Sequence, residues 1–202
     1  LAGRCADAAE TGGQRVPGHV FALEHNLWVI AADPDNTGKA QEWWKAPVKG
    51  AVPATVPGIL QQDLPGYHGV VWYWCDFDAP ANPLPGGRAL LRFGAVDYLA
   101  EVWMNGAPVG GHEGGETPFT LDVTAALKPG AKNRIAVRVL NPTGESIDGI
   151  VLGETPHRNK GVNFTVGGSY NGGGITEPVE LLYVPVVRIA DAFVRADWQS
   201  GT

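Results

Sequence analysis

The 202-residue chain holds two cysteines, one methionine and charged residues at only 18%. Each shortage narrows what it can be. Cys5 and Cys75 sit in no Cys-x-x-Cys pair and beside no closely spaced histidine, so neither a metal cluster nor a disulfide framework is expected, and a single bridge between the two is left open. Lys and Arg number 15 against 21 Asp and Glu, a formal charge of -6, and basic runs are lacking. Nucleic acid and anionic membrane reward clustered positive charge, so neither is an expected partner. Apolar runs such as residues 21–23 and 27–32 fall far short of the roughly 20 residues of a membrane helix, and a soluble chain is expected. The start, Leu-Ala-Gly-Arg-Cys, carries no Met and no signal-type apolar core; it reads as a processed or truncated end and leaves the compartment open. The length suits one domain with a real core and excludes a catalytic barrel with anything added.

What is present is a chain that folds and turns often: 44% hydrophobic residues with 28 Gly and 16 Pro. Residues 1–20 are Gly, Ala and polar without periodicity and read as a loosely attached lead-in. From Phe21 onward short apolar segments are punctuated by Gly, Pro and Asn, and no stretch keeps helical spacing for three turns. The clearest strands are 27–32, 70–78, 89–93, 100–104, 134–140, 179–184 and 187–195. In 70–78, Val71, Tyr73, Cys75 and Phe77 alternate with Trp72, Trp74 and Asp76, which predicts a strand covered on both faces. Asn105-Gly106 after Val102-Trp103-Met104 signals a tight type I′ reversal. Asp122 is placed to cap one helical turn that Pro129-Gly130 ends. Many short strands and few helices imply an all-β fold of two packed antiparallel sheets, a sandwich of jelly-roll type. Residues 141–174 form a connection too long for simple joining, which marks a functional loop.

Four segments, in order and over about residues 27–195, carry a family likeness. They are Gly69-Val70-Val71-Trp72-Tyr73 leading to Phe77; Leu91-Arg92-Phe93-Gly94-Ala95-Val96 running on to Val102-Trp103-Met104-Asn105-Gly106; Gly110-Gly111-His112-Glu113-Gly114-Gly115 with Thr117-Pro118-Phe119 and Asp122-Val123-Thr124; and Gly173-Gly174-Ile175 before Pro178-Val179-Glu180-Leu181. Together they resemble the N-terminal sugar-binding domain of glycoside hydrolase family 2, the β-galactosidases, β-glucuronidases and β-mannosidases, a galactose-binding-domain-like sandwich. The resemblance implies a domain over 21–195 and, from 196, the start of a linker toward an immunoglobulin-like domain and a catalytic (β/α)₈ barrel. The family's two catalytic glutamates lie on that barrel, so the resemblance implies none in this chain. In galactosidase and glucuronidase relatives an Asp six residues before the Gly of the Gly-Ile motif reaches toward the sugar. Counting back from Gly174 gives Gly168, so that contact is not expected here.

Retaining hydrolysis needs two carboxyls about 5 to 5.5 Å apart, one of them kept protonated. Glu113 and Glu116 are the only close pair that invites the idea, and on a Gly-rich reversal they read as solvated turn residues. His112 has no nucleophile-type turn near it, and the five scattered His make no metal motif; no catalytic residue, metal or cofactor is expected. Sugar binding needs aromatic faces for pyranose C–H groups, and amides and carboxylates for hydroxyls. Trp28, Trp72 and Trp103 lie in strand patterns and are expected in the core. Trp43-Trp44 follow a polar loop and are not expected both to point inward, so one is a candidate platform. Trp198 falls in the exit segment and suits packing on another domain. His157, Arg158, Asn159, Asn163, Tyr170 and Asn171 enrich the long loop in hydroxyl-binding groups. Carbohydrate is therefore the expected ligand, with Trp43, Trp44, Tyr170 and Asn171 the expected contacts, in an accessory domain of a family 2-like hydrolase. Two alternatives stand beside it: a free-standing carbohydrate-binding module, favoured if Trp43, Trp44 and Tyr170 share one exposed patch, and a purely structural scaffold.

Overall fold

Period-two alternation without helical repeats resolves into fourteen strands among the described residues of the computed structural model, which are 19–156, 160–161, 169–189 and 193–195. In chain order they are β1 (Val20–Ala22), β2 (Trp28–Ala32), β3 (Val52–Ala54), β4 (Gly69–Asp78), β5 (Arg88–Phe93), β6 (Val96–Asp97), β7 (Leu99–Met104), β8 (Ala107–Glu113), β9 (Phe119–Asp122), β10 (Lys132–Asn141), β11 (Lys160–Gly161), β12 (Ser169–Tyr170), β13 (Gly174–Ile175) and β14 (Val179–Val184). Six form one antiparallel sheet in the order β3-β2-β4-β10-β7-β8, and four form a second in the order β1-β14-β5-β9. Non-sequential neighbours such as β1 beside β14 make this the expected two-sheet sandwich rather than a meander. β13 pairs with β6, and β11 with β12. Among the described residues no helix is long and apolar enough to cross a membrane.

The alternation of β4 assigns its two faces. Val71, Tyr73, Cys75 and Phe77 point between the sheets with Ile135, Val137 and Val139 of β10, against Leu91, Phe93, Leu181 and Tyr183 of the opposite sheet. Trp72 and Trp74 point the other way and join Trp103, Ala136 and Leu140 in a second apolar cluster on the outer face of the six-stranded sheet. Each such side chain fully withdrawn from water contributes about 1.5–3 kcal/mol, so a strand buried on both faces anchors the sheet. Trp28, Trp72 and Trp103 are buried as expected. Burial pushes the Cys75 thiol up to about 12, an inert core residue; Cys5 lies outside the described residues.

The turn chemistry also follows the sequence. Asn105 and Gly106 both take positive φ, 53° and 84°, between β7 and β8. Asp122 accepts hydrogen bonds from the Thr124 amide (3.0 Å) and hydroxyl (2.6 Å), and the Leu127 amide closes one helical turn on the Val123 carbonyl.

Three expectations are corrected. Val20, assigned to the lead-in, opens β1 and pairs with Leu182. Leu27 precedes β2 and is exposed. The strand expected over 187–195 does not form at its described residues: 187–189 and 193–195 lie outside any strand, with Val187, Ile189, Phe193 and Val194 in solvent. β14 itself is flanked on both sides, by β1 and β5, so it offers the segment that follows it no edge to pair with.

Candidate functional site

β4 begins at Gly69 directly opposite Asn141, where β10 ends. This end of the sandwich gathers four polar side chains from distant segments. Gln61, in a short 3₁₀ turn (Leu60–Gln62), donates from Nε2 to the Tyr67 carbonyl (2.9 Å) and to Asn141 Oδ1 (3.1 Å). Asn141 Nδ2 donates to Asn171 Oδ1 (3.0 Å), and Asn171 Nδ2 donates to the Pro142 carbonyl (2.7 Å). His68 Nδ1 lies 2.9 Å from Asn141 Oδ1. The amide nitrogens of Gln61 (3.3 Å) and Asn171 (3.5 Å) approach the same ring nitrogen, so His68 is drawn into the cage from three sides. Gln61, Asn141 and Asn171 are buried, and their mutual pairing removes the penalty that isolated buried amides would carry.

The glycines of the Gly-Ile motif belong to this arrangement. A Cβ on Gly173 would come within 2.6 Å of the Asn141 amide, and one on Gly174, whose φ is +118°, within 2.7 Å of the Tyr73 hydroxyl. Only glycine lets the returning chain press against the cage. The cage thus ties residue 141, where the long loop leaves, to residue 171, where it returns. Tyr170, next to the tie, remains exposed and sits edge-on to His68, with ring centroids 6.2 Å apart.

A second network lies on the outer face of the six-stranded sheet. Arg138 of β10 is wholly buried; its Nη1 donates to Glu101 (2.8 Å) and its Nη2 to Asn36 Oδ1 (2.6 Å) and to Asp148. Asn36 also donates to Asp148 Oδ1 (2.8 Å). Burial alone would raise the Asp148 carboxyl, but the Asn36 hydrogen bond and the Arg138 charge outweigh it and hold the group below its ordinary value. Arg138 so fastens the loop at 33–36 to the loop at 146–148. Between those loops and residues 67–70 opens a cleft of about 300 Å³.

The structure redistributes the expected contacts. Trp43 and Trp44 both turn inward, contrary to expectation. Trp44 stacks on Trp103 at 5.5 Å, Trp43 tilts against Trp72 at 6.4 Å, and the Trp43 carbonyl accepts from Trp74 Nε1 at 2.7 Å. A sheet with a second apolar face gives both rings somewhere to pack, so they lid that face rather than offer a free platform. Asn171 is buried, its amide oxygen accepting from Asn141 and its amide nitrogen donating to Pro142, which withdraws it from hydroxyl pairing. Tyr170 alone of the four is exposed. Its ring and those of Trp43 and Trp44 pack on different partners, which removes the observation that would favour a free-standing module. His157, Arg158, Asn159, Asn163, Gly168 and Trp198 lie outside the described residues. Glu113 and His112, expected on a reversal, instead end strand β8, paired with Leu99 and Ala100 of β7; Glu113 accepts from the Tyr98 hydroxyl (2.7 Å) and His112 stacks on Phe119 and bonds Thr117. Among the described residues no group of His, Cys, Asp and Glu is arranged to hold a metal.

Sequence reasoning missed Gln61, His68, Asn141 and Arg138. One signal was present for the last: a lone arginine in the apolar run Ile135-Ala136-Val137-Arg138-Val139-Leu140 must find buried partners.

Comparison with known proteins gives a family. The model of "Glycosyl hydrolases family 2, sugar binding domain" matches residues 22–185. The chain is 37% identical over 120 residues to a β-glucuronidase of Paenibacillus borealis, covering 57% of this chain and 20% of that protein. With a β-glucuronidase of Canis lupus familiaris it shares 30% identity over 197 residues, covering 87% and 30%. A β-galactosidase of Thermoanaerobacter pseudethanolicus is 35% identical over 95 residues, covering 43% and 13%. Among solved structures, a Ruminococcus gnavus β-glucuronidase superposes with a TM-score of 0.67 at 23% identity, covering 85% of this chain and 30% of that one, a likeness of fold. The chain spans a third or less of the length of each of these relatives.

Proposed function

The chain belongs to the sugar-binding domain family of family 2 glycosyl hydrolases, an accessory domain, and from that premise we propose that it serves an enzyme hydrolysing β-linked glycosides, with β-glucuronides as the substrate class. In this reading residues 21–195 are the domain, and 196–202 begin the passage to an immunoglobulin-like domain and a catalytic barrel, which supplies the reacting carboxylates. The end of the sandwich built on Gln61, His68, Asn141 and Asn171 faces that barrel, and Tyr170 contributes one wall of the substrate cleft. The observation that carries this is the cage itself: a fully paired, buried amide network fixes the loop return and leaves one exposed aromatic ring beside it. Preorganising a contact in this way avoids the ordering cost of a mobile loop. Asn171 acts by holding Tyr170, not by touching sugar.

The test is kinetic. In the enzyme comprising this domain and its barrel, Tyr170→Ala should lower kcat/KM for aryl β-glucuronides about tenfold, about 1.4 kcal/mol of transition-state binding, with unchanged melting temperature. Tyr170→Phe should recover most of the loss, because the ring face and not the hydroxyl makes the contact. An unchanged kcat/KM in Tyr170→Ala overturns the proposal.

A further inference from the structure

We propose that the cleft between the loops at 33–36 and 146–148 is a subsite for a neutral pyranose unit; this rests on reading the chain as a sugar-binding domain and names what it takes. The cleft, at about 300 Å³, lies at the lower end of the range for small-molecule sites, the size for one sugar ring rather than an oligosaccharide. Its chemistry is two-sided, as a pyranose is. Pro34 and Ile147 offer apolar surface for C–H groups, while Asp35 and His68 offer polar groups for hydroxyls. The His68 ring, whose Nδ1 is engaged with the amide cage, is among the polar groups of the lining.

The charges of the lining select the class of ligand. Three carboxylates line the cleft and neither Lys nor Arg does. The neighbouring cations are committed elsewhere: Arg138 is buried and paired with Glu101, Asn36 and Asp148, and Lys39 is paired with Glu101. A uronate or other anion would therefore meet like charge without a counterion, which costs heavily at a partly desolvated site. A divalent metal fares no better. The Asp33 oxygens are taken by the Thr37 and Gly38 amides and Trp72 Nε1 (2.8, 2.9 and 3.0 Å), and Asp148 is held by Arg138 and Asn36. That leaves the Asp35 carboxylate uncommitted, far fewer free oxygens than such an ion needs. The rim is also preorganised, since Arg138 ties both loops to β10 before any ligand arrives.

The experiment is an NMR titration of this chain with methyl β-D-glucopyranoside and, separately, with methyl β-D-glucuronide. The neutral glycoside should shift the amides of Asp35, His68 and Ser146 with millimolar affinity, and the glucuronide should bind about tenfold more weakly. Asp35→Ala, at an exposed position, should weaken the neutral glycoside at least fivefold with unchanged melting, and Ser146→Trp, which fills the cleft, should abolish its binding. Tyr170→Ala should leave it unaltered. Equal or tighter binding of the glucuronide, shifts that survive Ser146→Trp, or no shift with either sugar each overturn the subsite. None of these bears on the barrel-facing role, which the kinetic effect of Tyr170→Ala reads separately.

Discussion

Asn171 looked like a hydroxyl-binding residue because an asparagine beside a tyrosine in a polar loop has the same sequence appearance whether solvated or caged. Its partners, Asn141 and Pro142, lie 30 and 29 residues away, beyond any local pattern. The cage makes a sharp prediction: Asn171→Ala strands the Asn141 amide hydrogen and the Pro142 carbonyl, and a stranded buried group costs about 1–3 kcal/mol. Urea unfolding should show a loss of roughly 2 kcal/mol or more, and a loss within the error of a surface substitution would show that the cage contributes nothing. Asp148 predicts a pH dependence. Its folded value lies below the ordinary 3.8, so the stability it contributes is complete above its unfolded value and is lost as pH falls through the folded one. Asp148→Asn should therefore be less stable than the parent chain at neutral pH, with the gap closing below about pH 4. Melting curves across that range decide it; a gap that stays constant into acid would show that the Asn36 and Arg138 contacts do not act through the carboxylate charge.

Strands were legible where side chains alternate, which length favours without ensuring: the seven residues of β8, with Pro108, Gly110 and Gly111 among them, show no apolar face and were not expected as a strand. β4 and β10 carry enough residues for alternation to declare both faces, whereas β3, β6 and β13, at two or three residues, carry no period at all. Alternation also names a face and never a partner, which is why 187–195 reads as a strand yet lies unpaired at its described residues. The same blindness hid the role of the Trp43–Lys45 turn: nothing local announces that the six-stranded sheet is apolar on its outer side as well, so two adjacent tryptophans were expected to disagree in direction. Their packing predicts that Trp44→Ala destabilises the domain by about 2 kcal/mol, less than the 3–5 kcal/mol of a fully buried aromatic because Trp44 is half-buried. Trp44→Phe should restore part of that through stacking on Trp103. Thermal unfolding measures both. A Trp44→Ala variant as stable as the parent would return the ring to the list of free platforms.

At the scale of the molecule, the architecture was readable because three of the motifs each fix a turn or a close approach: Gly106 at positive φ, Asp122 on its turn, and Gly173 and Gly174 against the cage. Such motifs specify scaffold, and chemistry on a shared scaffold is set by side chains that the motifs do not determine. Catalysis is the clearest case. Retaining glycoside hydrolysis requires two carboxyls about 5 to 5.5 Å apart, with one pKa raised so that it stays protonated near neutral pH. Glu113 and Glu116, close in sequence, are both exposed, and Glu113 is engaged by the Tyr98 hydroxyl. Burial and the Glu113 hydrogen bond push that hydroxyl up to about 12, so it stays protonated and donating rather than acting as a base. The carboxyls of Asp122 and Asp148 are moved down, the wrong direction for a general acid. The chain on its own should therefore release no nitrophenol from aryl β-galactosides, glucuronides, mannosides or glucosides above the uncatalysed rate. Turnover that survives purification and is abolished by Glu113→Gln would place a catalytic carboxylate at the end of β8 and overturn the assignment of the chemistry to a separate domain.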